Sequence, residues 1–143
     1  MTAPLTDVRS RLNQLRAGLY RLHKTLLDSE RLAYEAEFGP IRTNGQYLQL
    51  LIDDPRFTWL QPYTSLVVRI DEAIDSKEPD ALTGAGEFWV QARWLTSDLD
   101  SGATNSQRYL AALDRHLPAS EAHAGVLSLF ESRESSVNNA VHT

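Results

Sequence analysis

The chain has 143 residues, of which 42% are hydrophobic and 23% charged, with a formal net charge of −5 and no cysteine. A chain of this length is expected to form one domain with a core of its own. The lack of cysteine excludes a disulfide framework, a thiolate metal site and a cysteine nucleophile. The acidic balance argues against a nucleic-acid partner, because domains that bind duplexes usually carry a basic footprint.

The first 30 residues predict neither a leader peptide nor a membrane anchor. Cations at Arg9, Arg11, Arg16, Arg21 and Lys24 interrupt this segment, so it holds no continuous apolar region of the kind a signal peptide needs. Apolar runs elsewhere are only a few residues long, far below the ~20 that span a bilayer. We therefore expect a cytoplasmic protein without a membrane partner.

A heptad pattern runs through the N-terminal quarter of the chain. Apolar or small residues recur in steps of three and four, at Leu5, Val8, Leu12, Leu15, Leu19, Leu22, Leu26, Ser29, Ala33 and Ala36. This spacing predicts one long helix over about 6–38, which ends at Gly39–Pro40 because proline lacks a donor and clashes with the preceding turn. We call this set of ten residues the leucine seam. The helix would be roughly 50 Å long, and its leucine seam must be covered either by shorter elements of the chain or by a second subunit.

The rest of the chain also reads as helical, with no useful strand alternation. Further helices are predicted from 41–44 to 53–54, from 61 to about 76, over about 86–99, over 105–116, and over a short final stretch from 120 to 130. Residues 56–60 are too short for a full helix, and we expect their aromatic side chains to plug one end. The sequence thus predicts an all-α bundle of four to five helices over 1–131, followed by a disordered tail over 132–143.

Several segments between residues 8 and 75 resemble a group of small bacterial helical proteins of unknown function. These segments are Phe38-Gly39-Pro40-Ile41, 48–52, Asp54-Pro55, Trp59-Leu60, and 67–74 with Asp71-Glu72. The resemblance implies a helical fold and a bacterial cytosolic protein. It supplies no catalytic residue, because none is established for that group.

Catalytic and metal-binding motifs are missing from the sequence. Helical bundles that hold two metal ions use Glu-x-x-His pairs, and zinc proteases use His-Glu-x-x-His, but neither pattern occurs. A Gly-x-Ser-x-Gly nucleophile turn is also missing. We therefore predict no catalytic residue, no metal site and no cofactor, which leaves enzymatic activity open but disfavoured.

One group of polar residues nevertheless supports an alternative. His23, Glu30 and Glu37 follow each other at intervals of seven beside the leucine seam, and Asp71 lies on a helix that could pack against them. Carboxylates brought together in this way raise each other's pKa and can bind a cation or a small ligand. The simpler interpretation is a charged flank that solvates the bundle and pairs with arginines.

Tryptophans supply the other candidate site. Trp89 and Trp94 are five residues apart on a predicted helix, so they point in different directions and at least one is expected to be exposed. Exposed tryptophan is typical of protein interfaces, and we assign Trp59, Trp89 and Trp94 as candidate interface residues. The preferred interpretation is a non-enzymatic interaction or scaffold module that self-associates as a homodimer. The alternative is a bundle that binds a small ligand or metal ion, possibly as an enzyme.

Overall fold

The structure is a computed structural model that describes residues 5–97 and 104–142, with side chains described over 7–97 and 105–134. Within these residues the chain forms seven helices and no strand. They are α1 (Leu5–Phe38), α2 (Asn44–Asp53), α3 (Pro55–Thr58), α4 (Gln61–Asp75), α5 (Ala85–Thr96), α6 (Thr104–Arg115) and α7 (Leu117–His142). The predicted all-α bundle built on a long N-terminal helix is confirmed.

The leucine seam of α1 forms the centre of the core. From Leu12 to Ser29 every seam position is buried, because α4, α5, α6 and α7 all pack along this helix. The small residue at Ser29 lets the backbone of α6 approach, and its hydroxyl donates to the carbonyl oxygen of Ala112 at 3.0 Å. Other helices of the same chain therefore cover this part of the leucine seam, and no second subunit is needed there.

A glycine on α1 also allows the first and last helices to come close together. A Cβ atom at Gly18 would lie 3.1 Å from Cδ1 of Leu129 and 3.4 Å from Cγ2 of Val126 on α7. The distance to Leu129 is shorter than ordinary van der Waals contact, so the Leu129 side chain would have to move by a few tenths of an ångström to admit a Cβ atom. Gly18 thus lets α1 and α7 pack closely at this point.

The end of α1 follows from Gly39, as the sequence predicted. Gly39 has a φ of 91°, and its amide donates to the carbonyl oxygen of Glu35 at 2.9 Å. This left-handed backbone stops the helix at little cost only because glycine has no Cβ. The carboxylate of Glu35 then accepts from the amide of Ile41 at 2.9 Å, which fixes the turn towards α2.

Aromatic residues close one end of the bundle, as expected, although through a short α-helix. Asp54 caps α3 by accepting from the amide of Arg56 at 2.8 Å, and Phe57 and Trp59 are both buried. Deeper in the core, Tyr63 of α4 stacks on Tyr109 of α6 with ring centroids 5.7 Å apart. This ring contact joins α4 to α6 beside the buried part of the leucine seam.

The C-terminal segment differs from its prediction. The helix α7 continues to His142, in place of a short helix that ends near residue 130 and a disordered tail over 132–143. Residues 131–142 contain neither proline nor glycine, and adding a residue to an existing helix costs far less than nucleating a new one. Residues 98–103 and 143 lie outside the described residues, so the predicted loop over 100–104 is described only at residue 104.

Candidate functional site

A groove between α5 and α7 contains two of the predicted tryptophans. We call it the tryptophan groove; it has a volume of about 610 Å³ and is lined by Trp89, Val90, Arg93, Trp94, Ser97, Phe130, Arg133 and Glu134. A pocket of this size lies within the roughly 300–1,000 Å³ in which proteins hold ligands. No other cleft described below is as large.

The spacing of the two tryptophans places one inside the protein and one outside. Trp89 is buried and meets Phe130 edge-on, with ring centroids 6.1 Å apart. Trp94 is 65% exposed, and Val90, four residues before it and therefore on the same face of α5, is 63% exposed. The prediction that at least one of the pair is exposed is confirmed, and Trp94 is that residue.

Two arginines lie over the aromatic rings of the groove. The guanidinium of Arg93 is 5.2 Å from the Phe130 ring centroid and also pairs with Glu134. The guanidinium of Arg133 is 5.2 Å from the Trp89 ring centroid, and no carboxylate pairs with it among the residues the structure describes. The groove therefore combines an apolar lining with one positive charge that lacks a counter-ion there.

The third predicted interface residue, Trp59, belongs to the core. Its side chain is buried at the junction of α3 and α4 and meets Tyr63 edge-on at 6.0 Å between centroids. Trp59 is buried and lines none of the clefts described here, which corrects the prediction for this residue. Trp89 is buried as well, so among the three predicted interface residues only Trp94 exposes its ring.

Of the four predicted ligand residues, the structure brings only two together. Glu30 is 4% exposed and accepts from Nη2 of Arg115 at 3.0 Å. Glu37 is exposed and accepts from Nη2 of Arg56 at 2.7 Å. Both carboxylates line one open cleft of about 450 Å³, which we call the arginine cleft.

The other two predicted ligand residues lie elsewhere. His23 lines a separate cleft of about 370 Å³, where its Nε2 is 2.7 Å from Oγ1 of Thr64, and burial lowers its pKa. Asp71 accepts from Nη1 of Arg16 at 2.9 Å. The predicted cluster of His23, Glu30, Glu37 and Asp71 is therefore not formed, and no group of three metal-ligating residues occurs in the described part of the chain.

The arginine cleft arises from matching intervals on two helices. Glu30, Ala33 and Glu37 on α1 face Arg115, Ala111 and Arg108 on α6, and the two alanines leave the space open. Arg108 donates to the carbonyl oxygen of Pro55 at 2.6 Å; among the described residues it has no carboxylate partner. The seven-residue interval between Arg108 and Arg115 is visible in the sequence, but only the packing of α6 on α1 places it opposite the same interval on α1.

A second apolar surface lies on α2. The structure describes all ten residues of this helix, and none of them is buried. On its inner side Tyr47 lies under the guanidinium of Arg31, with 4.5 Å between the ring centroid and Cζ. On its outer side Leu48 and Ile52, four residues apart, are 58% and 56% exposed. We call the Leu48 and Ile52 side the α2 face.

Comparisons with known proteins add no relative: no family model, no curated protein and no solved structure matches the chain. The resemblance to small bacterial helical proteins stays a prediction. Over the described ranges 5–97 and 104–142, no helix has both the length and the apolar character that crossing a bilayer requires.

Proposed function

We propose that the protein is a non-enzymatic interaction module that self-associates through the tryptophan groove. The observation that supports this proposal is the pair Trp94 and Val90, both largely exposed on one face of α5 beside a groove of about 610 Å³. Tryptophan and arginine dominate the binding energy of protein interfaces, and both line this groove. Contiguous apolar patches on a protein surface commonly mark such sites.

The leucine seam gives this proposal no support. The sequence suggested that a second subunit covers part of the seam, but its buried part is already covered by the other helices of the same chain. Only its two ends are open: Val8 and Ala33 are half-buried and Ala36 is exposed. The proposal of a homo-oligomer therefore rests on the surface of α5 and α7.

The test is the oligomeric state of the full chain, measured by light scattering over a range of concentrations. We expect the average mass to rise with concentration, and the Trp94→Ala variant to shift the midpoint of that rise at least tenfold higher, since central tryptophans often contribute 2 kcal/mol or more. The control is Tyr20→Ala, which removes a largely exposed aromatic ring on α1 that does not line the groove. A wild-type protein that stays monomeric at high concentration contradicts the proposal.

The arginine cleft supports a second candidate function, the binding of a small anionic ligand. Its support is Arg108, a guanidinium held over the cleft by the carbonyl oxygen of Pro55. Arginine binds carboxylate and phosphate groups through two parallel hydrogen bonds. Against this candidate, Glu30, Glu37 and Asp54 also line the cleft and repel an anion.

Thermal shift measurements test this second candidate. Inorganic phosphate and citrate should raise the unfolding temperature of the wild type, and Arg108→Gln should abolish the rise. The control, Arg69→Gln, removes an exposed arginine outside the cleft. An equal rise in both variants would show a general salt effect and reject the site.

We further propose that the assembly forms in the bacterial cytoplasm. The support is the resemblance of residues 8–75 to small bacterial helical proteins. The net charge of −5 favours protein partners over nucleic acid.

A further inference from the structure

We infer that self-association is head-to-tail: the α2 face of one copy docks into the tryptophan groove of the next copy. This inference rests on the proposed function and names the segment that occupies the groove. The two surfaces lie on different helices, so each copy offers one of each. Three observations support it: the missing cover of α2, the fit of its side chains, and the charges at its C-terminal end.

The helix α2 is the element with the least cover inside the described chain. Its main packing partner is α3, a single turn of helix, and its ten residues include none that is buried. Isolated helices of this length are marginal in water and depend on packing of their apolar side. The α2 face therefore gains from a cover that its own chain does not supply.

The spacing on α2 fits a mode of recognition in which a helix lies in a groove. Leu48 and Ile52 project from the same side one turn apart, which is the spacing of anchor residues in such complexes. The groove volume of about 610 Å³ accommodates two aliphatic side chains. The two aliphatic side chains would then contact the exposed Trp94 and Val90, beside the arginines that lie over the buried rings of Trp89 and Phe130.

The charges of the two surfaces are complementary. Asp53 is the only charged residue of α2 and lies at its C-terminal end, where the helix dipole adds partial negative charge. The groove offers Arg133, whose guanidinium has no carboxylate partner among the described residues. Docking with the C-terminal end of α2 near Arg133 would pair these charges and exclude water from both.

A symmetric contact between two tryptophan grooves is less favourable. It would bring the Arg133 guanidinium of both copies into one interface, neither with a carboxylate partner among the described residues, and like charges in an interface oppose association. It would also leave the α2 face uncovered in both copies. The head-to-tail contact avoids both problems, and it predicts rings or open chains of copies instead of a closed pair.

The experiment compares two single-surface variants of the full chain. Trp94→Ala removes the groove side, and Leu48→Ser/Ile52→Ser removes the α2 side; all three residues are exposed, so folding should survive, as circular dichroism can verify. Leu117→Ser, an exposed leucine at the start of α7, is the matched control. In light scattering we expect each single-surface variant to raise the midpoint of assembly at least tenfold, and the control to leave it unchanged.

Mixing the two variants decides between the modes of contact. The intact α2 face of Trp94→Ala should dock into the intact groove of Leu48→Ser/Ile52→Ser, which gives a dimer with one copy of each and no larger species. Assembly that Trp94→Ala weakens but the α2 variant leaves intact would overturn the head-to-tail inference and preserve self-association through the groove. A mixture that stays monomeric would also overturn it. A monomeric wild type would remove both proposals together.

Discussion

At the scale of single residues, the three tryptophans that the sequence predicts as interface residues differ in their burial. The five-residue interval on α5 was enough to predict that Trp89 and Trp94 face differently, because direction on a helix follows from spacing alone. No such rule applied to Trp59, since the direction of a residue after a four-residue helix depends on how the chain turns in three dimensions. Its burial could be read only from the structure.

The indole of Trp59 provides the first stability prediction. Its Nε1 is buried and lacks a hydrogen-bond partner among the described residues, and an unsatisfied buried donor costs about 1–3 kcal/mol. Trp59→Phe removes that donor, which offsets the loss of packing volume. We expect its free energy of unfolding in urea to lie within about 1 kcal/mol of the wild type, whereas Trp59→Ala should lose about 3–5 kcal/mol. Equal losses for both variants would show that the donor carries no cost.

At the scale of elements, the sequence predicted those helices whose ends carry a local signal. Gly39–Pro40 ended α1, Asp54–Pro55 ended α2 and Gln61–Pro62 began α4, as expected. The extension of α7 has no such signal, because a polar segment without periodicity is typical of disorder even where no residue stops a helix. The arginine cleft has no local signal either, because its two sets of residues lie on different helices, and pairing them requires knowing that α1 and α6 pack together.

Two glycines should respond to alanine in opposite ways. Gly39 has a positive φ, so Gly39→Ala forces a strained backbone and should destabilise the protein by about 1–2 kcal/mol. Gly45 lies inside α2 with no atom within 4 Å of the position of an added Cβ, so Gly45→Ala should stabilise by about 0.5–1 kcal/mol. Urea unfolding of both variants checks the difference in sign, and a stabilising Gly39→Ala would refute the assigned end of α1.

At the scale of the whole molecule, the contacts that join distant parts of the chain were beyond sequence reasoning. The partner of Glu30 is Arg115, and that of Asp71 is Arg16; each of these carboxylates had several arginines available. Which pair forms depends on the arrangement of the helices in space, which local patterns do not encode. The hydrophobic pattern thus predicts the all-α fold but not which residues line the clefts.

The stability of the whole fold should depend on pH through two histidines. Burial lowers the pKa of His23 and of His123, and Nδ1 of His123 is 2.6 Å from the hydroxyl of Tyr109. Their unfolded pKa is near 6.5, so below that pH the unfolded chain binds more protons than the folded one. Stability is therefore fully present above about pH 6.5 and decreases as the pH falls through the lower folded-state values.

Urea unfolding between about pH 7.5 and pH 5 measures this dependence. We expect the midpoint to fall with pH in the wild type and to fall less in the variant His23→Gln/His123→Gln. A double variant with an unchanged slope would assign the acid sensitivity to carboxylates instead.

The close packing of α1 against α7 at Gly18 has a consequence for synthesis on the ribosome. Translation proceeds from the N-terminus, so the leucines of α1 emerge first while the helix that covers much of them is made last. Until α7 has left the ribosome, α4, α5 and α6 can cover only part of the leucine seam, and the side of α1 that packs against α7 stays exposed. The protein should therefore depend on chaperones during its production, and ribosomes stalled before α7 should hold a chain that cannot yet fold.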